Sequence, residues 1–146
     1  GQCSDPDRFS SCLSDPRIHY VPSMTHRLVL KTMREHDVLL FPSLFEGFGL
    51  VITEALGSGL PVVSTPNTIA PDLGLEGNGV WVIPPGSTKE LKKLLEVFVR
   101  NPNLLQEARQ KIFQTHLPDW GQYRQSLRSI CLSAFPANEL SNECFK

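Results

Sequence analysis

Two glutamates, Glu46 and Glu54, flank a short stretch in which glycines recur. An ionised carboxylate only accepts hydrogen bonds, so a pair of carboxylates suits vicinal hydroxyl groups, which offer paired donors. Each such charge-assisted bond contributes about 1.5–3 kcal/mol when it is shielded from water. Between the glutamates, Gly47 and Gly49 let the backbone approach a ligand closely, because glycine adopts dihedrals that other residues avoid. These residue types predict a site for a ligand that carries several hydroxyl groups.

The second glycine is followed by a predicted helix that begins near Leu50 and is stopped by Gly57 and Gly59. The first N–H groups of a helix have no partner inside it, and the helix dipole places about half a positive charge at that end. Such an end suits a phosphate group. An anion site between two carboxylates that bind hydroxyls matches a ligand made of a sugar, a diphosphate and a ribose.

A plainer interpretation is that Glu46 is a solvated loop residue and that Glu54 is an exposed helix carboxylate stabilised by the helix dipole. That interpretation suits two arbitrary glutamates, since charged side chains usually lie at the surface. The glycines, a proline and two apolar runs around the pair favour a ligand site instead.

The elements that position this loop alternate along the chain. Short apolar runs predict four strands, over residues 18–21, 38–41, 62–63 and 80–83. Helical spacing predicts helices over residues 25–36, 50–58, 87–99, 101–113 and 119–131, with one turn at 70–73 and a short helix near residues 9–13. Alternation of this kind predicts an α/β fold with a parallel sheet and flanking helices.

Finer packing and cap predictions follow from the same patterns. In the helix after the loop, one side is expected to carry Leu50, Val51, Glu54, Ala55 and Ser58. Ser87 followed three residues later by Glu90 predicts a capping box. The final helix carries an apolar stripe that predicts core packing, made of Trp120, Tyr123, Leu127, Ile130 and Cys131.

Ligands of parallel sheets bind beyond the carboxyl ends of the strands. Residues 21–24, 41–46 and 65–67 are therefore expected at one edge of the sheet.

Length and composition predict one domain, because 146 residues with 40% hydrophobic content can enclose one core. The net charge of −1, from 14 basic and 15 acidic residues, gives no overall field that would recruit nucleic acid or an anionic membrane. No apolar run approaches the roughly 20 residues that span a bilayer, and the first residues lack a signal-peptide core. These observations predict a cytoplasmic protein.

Cysteine and histidine do not form a metal-binding pattern. The four cysteines are Cys3, Cys12, Cys131 and Cys144, and they contain no C-x-x-C pair, so no metal site is predicted. Free thiols are the favoured state, and a disulfide bridge between the two ends of the chain stays an open alternative. Scattered context predicts surface or partly buried positions rather than catalytic ones for His19, His26, His36 and His116.

The stretch around the loop resembles the motif of retaining glycosyltransferases with the two-domain GT-B fold. The residues that carry the resemblance are Pro42-Ser43, Glu46-Gly47-Phe48-Gly49-Leu50, Glu54-Ala55, Gly59 and Pro61-Val62-Val63. The family carries an E-x7-E motif, and the two glutamates have this spacing. The resemblance extends from about residue 18 to residue 128. It implies a Rossmann-like parallel sheet in the C-terminal, nucleotide-sugar-binding half of a GT-B fold.

The resemblance also implies roles for individual residues. Glu46, the catalytic candidate, would contact hydroxyls of the donor sugar, and Glu54 would hydrogen-bond the ribose. Backbone amides of Phe48 and Gly49 would face the sugar, and those of Leu50 and Val51 the diphosphate. The nucleobase loop would be Val21, Pro22, Ser23 and Met24. The implied donor is a nucleotide-diphosphate sugar, and no cofactor is predicted.

Departures from the family pattern predict an incomplete enzyme. An arginine and a lysine that clamp the diphosphate in the family have no counterpart, and Pro22 stands where the family often has glycine. The acceptor-binding N-terminal domain and the first strands are expected to be absent. The predicted organisation is an extension over residues 1–17, a donor-binding domain over 18–135 and a tail over 136–146.

Three hypotheses follow for function. The chain is the donor-binding part of a transferase in polysaccharide biosynthesis, inactive alone and peripheral to the inner face of a membrane through the missing domain. Alternatively, it is a non-catalytic nucleotide-sugar-binding module. In the third hypothesis it is an assembly module that self-associates through an exposed sheet edge, because an unpaired strand offers free hydrogen-bonding groups.

Overall fold

The computed structural model describes residues 9–115 and 120–134. In chain order these residues form α1 (Ser10–Leu13), α2 (His26–Arg34), β1 (Leu39–Phe41), α3 (Leu50–Gly57), β2 (Val62–Ser64), a 3₁₀ turn (Ala70–Leu73), β3 (Val80–Val82), α4 (Thr88–Arg100), α5 (Asn103–Gln114) and α6 (Trp120–Ala134). The chain divides into one compact unit that ends at Gln114 and a second that begins at Thr115. The predicted domain limits at residues 17/18 and 135/136 stay a prediction.

The sheet has three parallel strands in the order β1-β2-β3. Leu39 pairs with Val62, and Val62 pairs in turn with Val80. Parallel neighbours need a crossover connection, and α3 provides it between β1 and β2. The predicted α/β class with a parallel sheet and flanking helices is confirmed.

The predicted strand over residues 18–21 was wrong. These residues form no regular element, and the large side chains of Ile18, Tyr20 and Val21 are exposed. Alternation of apolar and polar residues shows that a segment could form a strand with one apolar face. A short strand is stable, however, only when it pairs with a neighbouring strand. Among the described residues, β1 pairs with β2 and not with this segment.

The core is centred on β2, all three residues of which are buried. Since successive strand residues point to opposite faces, both faces of the sheet are covered at this strand. One cluster joins Val63 to Ile83 and to Phe98 of α4. The Phe98 ring meets Trp81 edge to face, with 4.8 Å between ring centroids.

α3 buries only part of the side that was predicted from helical spacing, namely Ala55 and, directly after the helix, Ser58. Its buried residues are Ile52, Ala55 and Leu56, whereas Leu50 is 62% exposed. Positions 52, 55 and 56 have the i, i+3, i+4 spacing of one helix face. The prediction started this face at Leu50 because that residue is apolar, but the first residue of α3 belongs to the loop surface.

Gly59 ends α3 as predicted, while Gly57 is still helical. Gly59 has a φ of 75°, its N–H donates to Leu56 O at 2.9 Å, and the N–H of Leu60 donates to Ala55 O at 2.8 Å. This pair of bonds is the Schellman motif. A Cβ on Gly59 would lie 2.3 Å from Cζ of Phe113, so glycine also lets α5 pack closely.

The predicted capping box at α4 is half formed. Ser87 Oγ accepts a hydrogen bond from the N–H of Glu90 at 3.3 Å. The reciprocal bond is replaced, because the N–H of Ser87 donates to Pro84 O and the Glu90 carboxylate accepts from Lys93 Nζ at 2.7 Å. The hydrogen bond from Lys93 lowers the pKa of Glu90.

Of the predicted core stripe on α6, Leu127 and Ile130 are exposed and Cys131 is half-buried. The side chains of Trp120 and Tyr123 lie outside the described residues. Cys131 is a free thiol. The side chains of the other cysteines lie outside the description, so a bridge between the ends of the chain stays a prediction.

Candidate functional site

The loop between β1 and α3 emerges at the carboxyl edge of the sheet. Phe41 ends β1 directly beside Ser64, which ends β2. Residues 42–49 and the residues that follow β2 therefore leave the sheet at the same edge, where ligands of parallel α/β sheets bind. For these two segments the predicted arrangement is confirmed; residues 21–24 follow no strand.

Side chains after β2 fix the backbone of this loop. Thr65 Oγ1 donates to Ser43 O at 2.6 Å, and Asn67 Nδ2 donates to Leu44 O at 2.7 Å. Ser64 Oγ also donates to Phe41 O at 3.1 Å. Both Ser64 and Thr65 are completely buried, so water does not compete for the bonds that these two residues donate, whereas the bond from Asn67 is exposed.

Sequence reasoning missed this contribution. The available signal was the run of polar residues that directly follows the buried strand at Val62 and Val63. Polar side chains at the end of a buried strand need partners, and here the partners are carbonyl groups of the loop.

Gly49 sets the direction of α3. It is the N-cap residue and lies in the left-handed region, with φ 83° and ψ 52°. A Cβ at this position would lie 3.2 Å from Cδ1 of Ile52 and 3.5 Å from Cγ of Glu46. Gly47 differs, since a Cβ there would meet no atom within 4 Å. Glycine is thus required by the fold at position 49, and not at position 47.

The start of α3 has no side-chain cap. The N–H of Ile52 donates to Gly49 O at 2.8 Å, closing the first turn. The N–H groups of Leu50 and Val51 precede this bond and have no acceptor inside the helix. Together with the helix dipole, they make this end able to bind an anion.

The two predicted carboxylates lie on different elements. Glu46 is a half-buried loop residue whose Oε1 accepts a hydrogen bond from the N–H of Gly47 at 3.1 Å. Glu54 lies in α3, one turn after Leu50, and its side chain is 33% exposed. Both are accessible to a ligand at the loop.

His26 contacts Glu54, which sequence reasoning did not anticipate. Its Nε2 lies 3.0 Å from Glu54 Oε1, although the two residues are 28 positions apart. The side chain of His26 is 67% exposed, so its predicted surface position is confirmed. No local pattern marks this contact, because it depends on how α2 packs against α3.

Large apolar side chains are exposed around the loop. Phe45 is 88% exposed, and Leu44, Phe48 and Leu50 are also exposed. Exposed apolar groups of this size at a candidate ligand site are typical of surfaces that another molecule or domain covers.

The predicted nucleobase loop lines a groove of about 610 Å³. The groove also involves α2 and the start of β1, and its lining residues are Val21, Pro22, Ser23, Met24, Val29, Thr32, Met33, His36, Val38, Leu39 and Leu60. Neither Glu46 nor Glu54 belongs to this lining. The assignment of residues 21–24 to a nucleobase stays a prediction.

Within residues 9–115 and 120–134, no cluster of three or more histidine, cysteine, aspartate or glutamate side chains could hold a metal ion. Over the same residues, no helix combines the length and apolar character that crossing a membrane requires.

Comparison with known proteins identifies a family. A family model described as "Glycosyl transferases group 1" matches residues 9–115. The sucrose-phosphate synthase of Spinacia oleracea is 32% identical over 113 residues, which are 76% of this chain and 10% of that protein. An uncharacterized glycosyltransferase of Methanocaldococcus jannaschii is 40% identical over 55 residues, 37% of this chain and 14% of that protein.

The fold also matches a solved structure, the sucrose-phosphate synthase from Thermosynechococcus elongatus. The TM-score is 0.65 at 21% sequence identity, and the match covers 86% of this chain and 33% of that one. The likeness shows a shared fold and agrees with the predicted GT-B class. The chain spans a third or less of the length of each of these three proteins.

Proposed function

The chain belongs to the group 1 glycosyl transferases, and we propose that it is the donor-binding part of a retaining enzyme. The reaction moves a sugar from a nucleotide-diphosphate sugar to a hydroxyl group of a glycan or other acceptor. The observation that carries this proposal is the start of α3, where Gly49 in the left-handed region presents an uncapped helix end. Such an end suits the diphosphate of a donor.

Groups on either side of this helix end bind different parts of the donor. Glu46 accepts hydrogen bonds from the sugar hydroxyls as the catalytic candidate, and Glu54 accepts them from the ribose. The amides of Phe48 and Gly49 face the sugar, and the amides of Leu50 and Val51 face the diphosphate. The bonds from buried Thr65 and from Asn67 support this division, because they hold the loop backbone in place before a ligand arrives.

The chain alone is proposed to turn over donor at a negligible rate. Helix amides neutralise a diphosphate only in part, and Arg17 is engaged elsewhere, with its Nη2 2.6 Å from Asp15 Oδ2. Positioning of the reacting groups can supply roughly 7–11 kcal/mol of a reaction barrier. We assign that contribution to a separate acceptor-binding domain. Through this domain the protein is proposed to lie in the cytoplasm at the inner face of a membrane and to act in polysaccharide biosynthesis.

Calorimetric titration tests the donor site. The ligands are uridine, guanosine and adenosine diphosphates and their glucose derivatives. We expect Glu54→Ala to weaken binding of the nucleoside diphosphate and its sugar form alike, and Glu46→Ala to weaken chiefly the sugar form. Each loss should be about two- to tenfold, because a hydrogen bond to a charged group contributes about 1.5–3 kcal/mol when it is shielded from water, and these two carboxylates are only partly buried.

Glu96→Ala is the matched control, since Glu96 is a half-exposed helix glutamate on α4 that forms only a long ion pair with Lys92. The affinity of the Glu96→Ala variant for each nucleotide ligand should equal that of the parent protein. Absence of saturable heat with every ligand would contradict the donor site. Unchanged affinity of both site variants would contradict the assigned roles.

An assembly role is the second candidate. β1 is an edge strand in the described sheet, and Leu40 on this strand is exposed. An unpaired edge can add a strand from a second copy of the chain. Light scattering at micromolar concentration decides between the states, because a clean monomer would contradict pairing through this edge.

A further inference from the structure

We infer that His26 is a positioning residue that holds Glu54 in the orientation needed to bind the ribose of the donor. The inference rests on the proposed function, because it assigns a partner to one of its binding groups. It is carried by the contact between His26 Nε2 and Glu54 Oε1, at 3.0 Å.

The hydrogen bond between His26 and Glu54 determines which oxygen of Glu54 stays available to a ligand. An ionised carboxylate is an acceptor only, so the hydrogen of this bond is on Nε2 of His26. The bond engages Oε1 of Glu54 and leaves Oε2 for a hydroxyl group of a ligand. A glutamate that is one-third exposed and has several rotatable bonds would otherwise lose conformational freedom when it binds.

Contacts of other residues in and before α2 position the backbone of His26 next to Glu54. His26 is the first residue of α2, which packs against α3. Met33 anchors α2 by its burial, and Thr32 Oγ1 contacts Met24 Sδ at 3.8 Å, which ties the preceding loop to the same helix. The imidazole therefore reaches Glu54 from a fixed backbone position.

This placement also connects two predicted parts of the site. The loop that ends at Met24 is the predicted nucleobase loop, and it leads within two residues to His26. The contact thus joins the start of the helix that follows the segment assigned to the base to the carboxylate assigned to the ribose.

The test uses titration of the whole chain with uridine, guanosine and adenosine diphosphates, followed by the 2′,3′-dideoxy form of whichever binds. His26→Ala and His26→Phe should each weaken binding of the ribonucleotide about two- to tenfold, as expected when a flexible side chain must be ordered on binding. His26→Gln should retain the parent affinity, because its amide N–H reaches nearly the position of Nε2. His19→Gln is the control, since His19 is an exposed histidine outside the site.

The dideoxy ligand separates positioning from general stabilisation. With no ribose hydroxyls for Glu54 to bind, His26→Ala should bind it as tightly as the parent. In a Glu54→Ala background, replacement of His26 should have no further effect on ribonucleotide affinity. Thermal unfolding should be unchanged in every variant of this exposed side chain.

Two results would overturn this inference while leaving the proposed function intact. One is equal ribonucleotide affinity of His26→Ala and the parent; the other is the same loss for the dideoxy ligand as for the ribonucleotide. Absence of binding by the parent to all three diphosphates would overturn the proposed function itself, and the role of His26 with it.

Discussion

Substitution of the two loop glycines separates what the fold requires from what the ligand requires. Gly49 has a φ of 83°, and a Cβ there would lie 3.2 Å from Cδ1 of Ile52. Gly47 is not in the left-handed region, and a Cβ there would meet nothing within 4 Å. Gly49→Ala should therefore destabilise the protein, whereas Gly47→Ala should affect only the approach of a ligand.

The magnitudes follow from these geometries. A non-glycine residue in the left-handed region costs about 1–2 kcal/mol, so Gly49→Ala should lower Tm by roughly 3–10 °C for a chain of this size. Alanine at a compatible glycine position stabilises by about 0.4–1 kcal/mol, so Gly47→Ala should unfold at or slightly above the parent Tm. In the proposed site, however, its methyl group would narrow the space for the sugar. We expect at least a fivefold loss of affinity for the nucleotide-sugar, because overpacking costs about 1–3 kcal/mol.

Thermal denaturation by circular dichroism measures the first effect, and calorimetric titration with the nucleotide-sugar measures the second. Gly57→Ala is the matched control, since Gly57 is helical, lies at the far end of α3, and has open space around its Cβ. It should not alter binding. A Gly49→Ala protein as stable as the parent would refute the backbone argument, and unimpaired donor binding by Gly47→Ala would refute close approach at that residue.

Three further substitutions test the supports of the site and the core. Thr65→Val removes a buried hydroxyl that donates to Ser43 O at 2.6 Å; it should cost about 1–3 kcal/mol in urea unfolding and weaken donor binding, and an unchanged affinity would show that the loop does not need this bond. Phe98→Ala empties the cluster around Val63 and should cost about 3–5 kcal/mol by the same measurement; a loss below 1 kcal/mol would contradict its place in the core. Ser87→Ala removes the cap of α4 and should cost about 0.5–2 kcal/mol, with Ser87→Gly, a tolerated cap residue, as the milder comparison; equal stability of Ser87→Ala and the parent would contradict the cap.

Features encoded by neighbouring residues could be predicted from the sequence. The end of α3 follows from Gly59, because only glycine readily adopts the φ of 75° that the Schellman motif needs. The cap at Ser87 and the β1–α3–β2 order follow equally from local spacing. The loop with Glu46 and Glu54 was located for the same reason, since glycines and carboxylates are concentrated there.

Features that depend on distant partners could not be predicted. Residues 18–21 have a strand-like alternation, but a strand also needs a neighbour, and the sequence does not state where one lies. The contact of His26 with Glu54 and the bond from Asn67 to Leu44 join residues 28 and 23 positions apart. Each depends on the packing of whole elements, so even where polar residues after a buried strand indicate that partners are needed, the sequence does not say which groups supply them.

Exposure of the site determines how strongly the described groups can bind a donor. Glu46 is half-buried, Glu54 is one-third exposed, and Phe45, which precedes Glu46 in the loop, is 88% exposed. Hydrogen bonds to a charged group reach about 1.5–3 kcal/mol when shielded, while interactions between exposed charged groups contribute about 0–1 kcal/mol. The chain alone should therefore bind its donor weakly even though Gly49, Thr65 and α3 are already in place. A domain that covered Phe45 would exclude water from the carboxylates and raise the affinity without any change in this fold. Donor affinity that increased when such a domain was added in trans would follow from this exposure, and an equal affinity would show that the loop needs no cover.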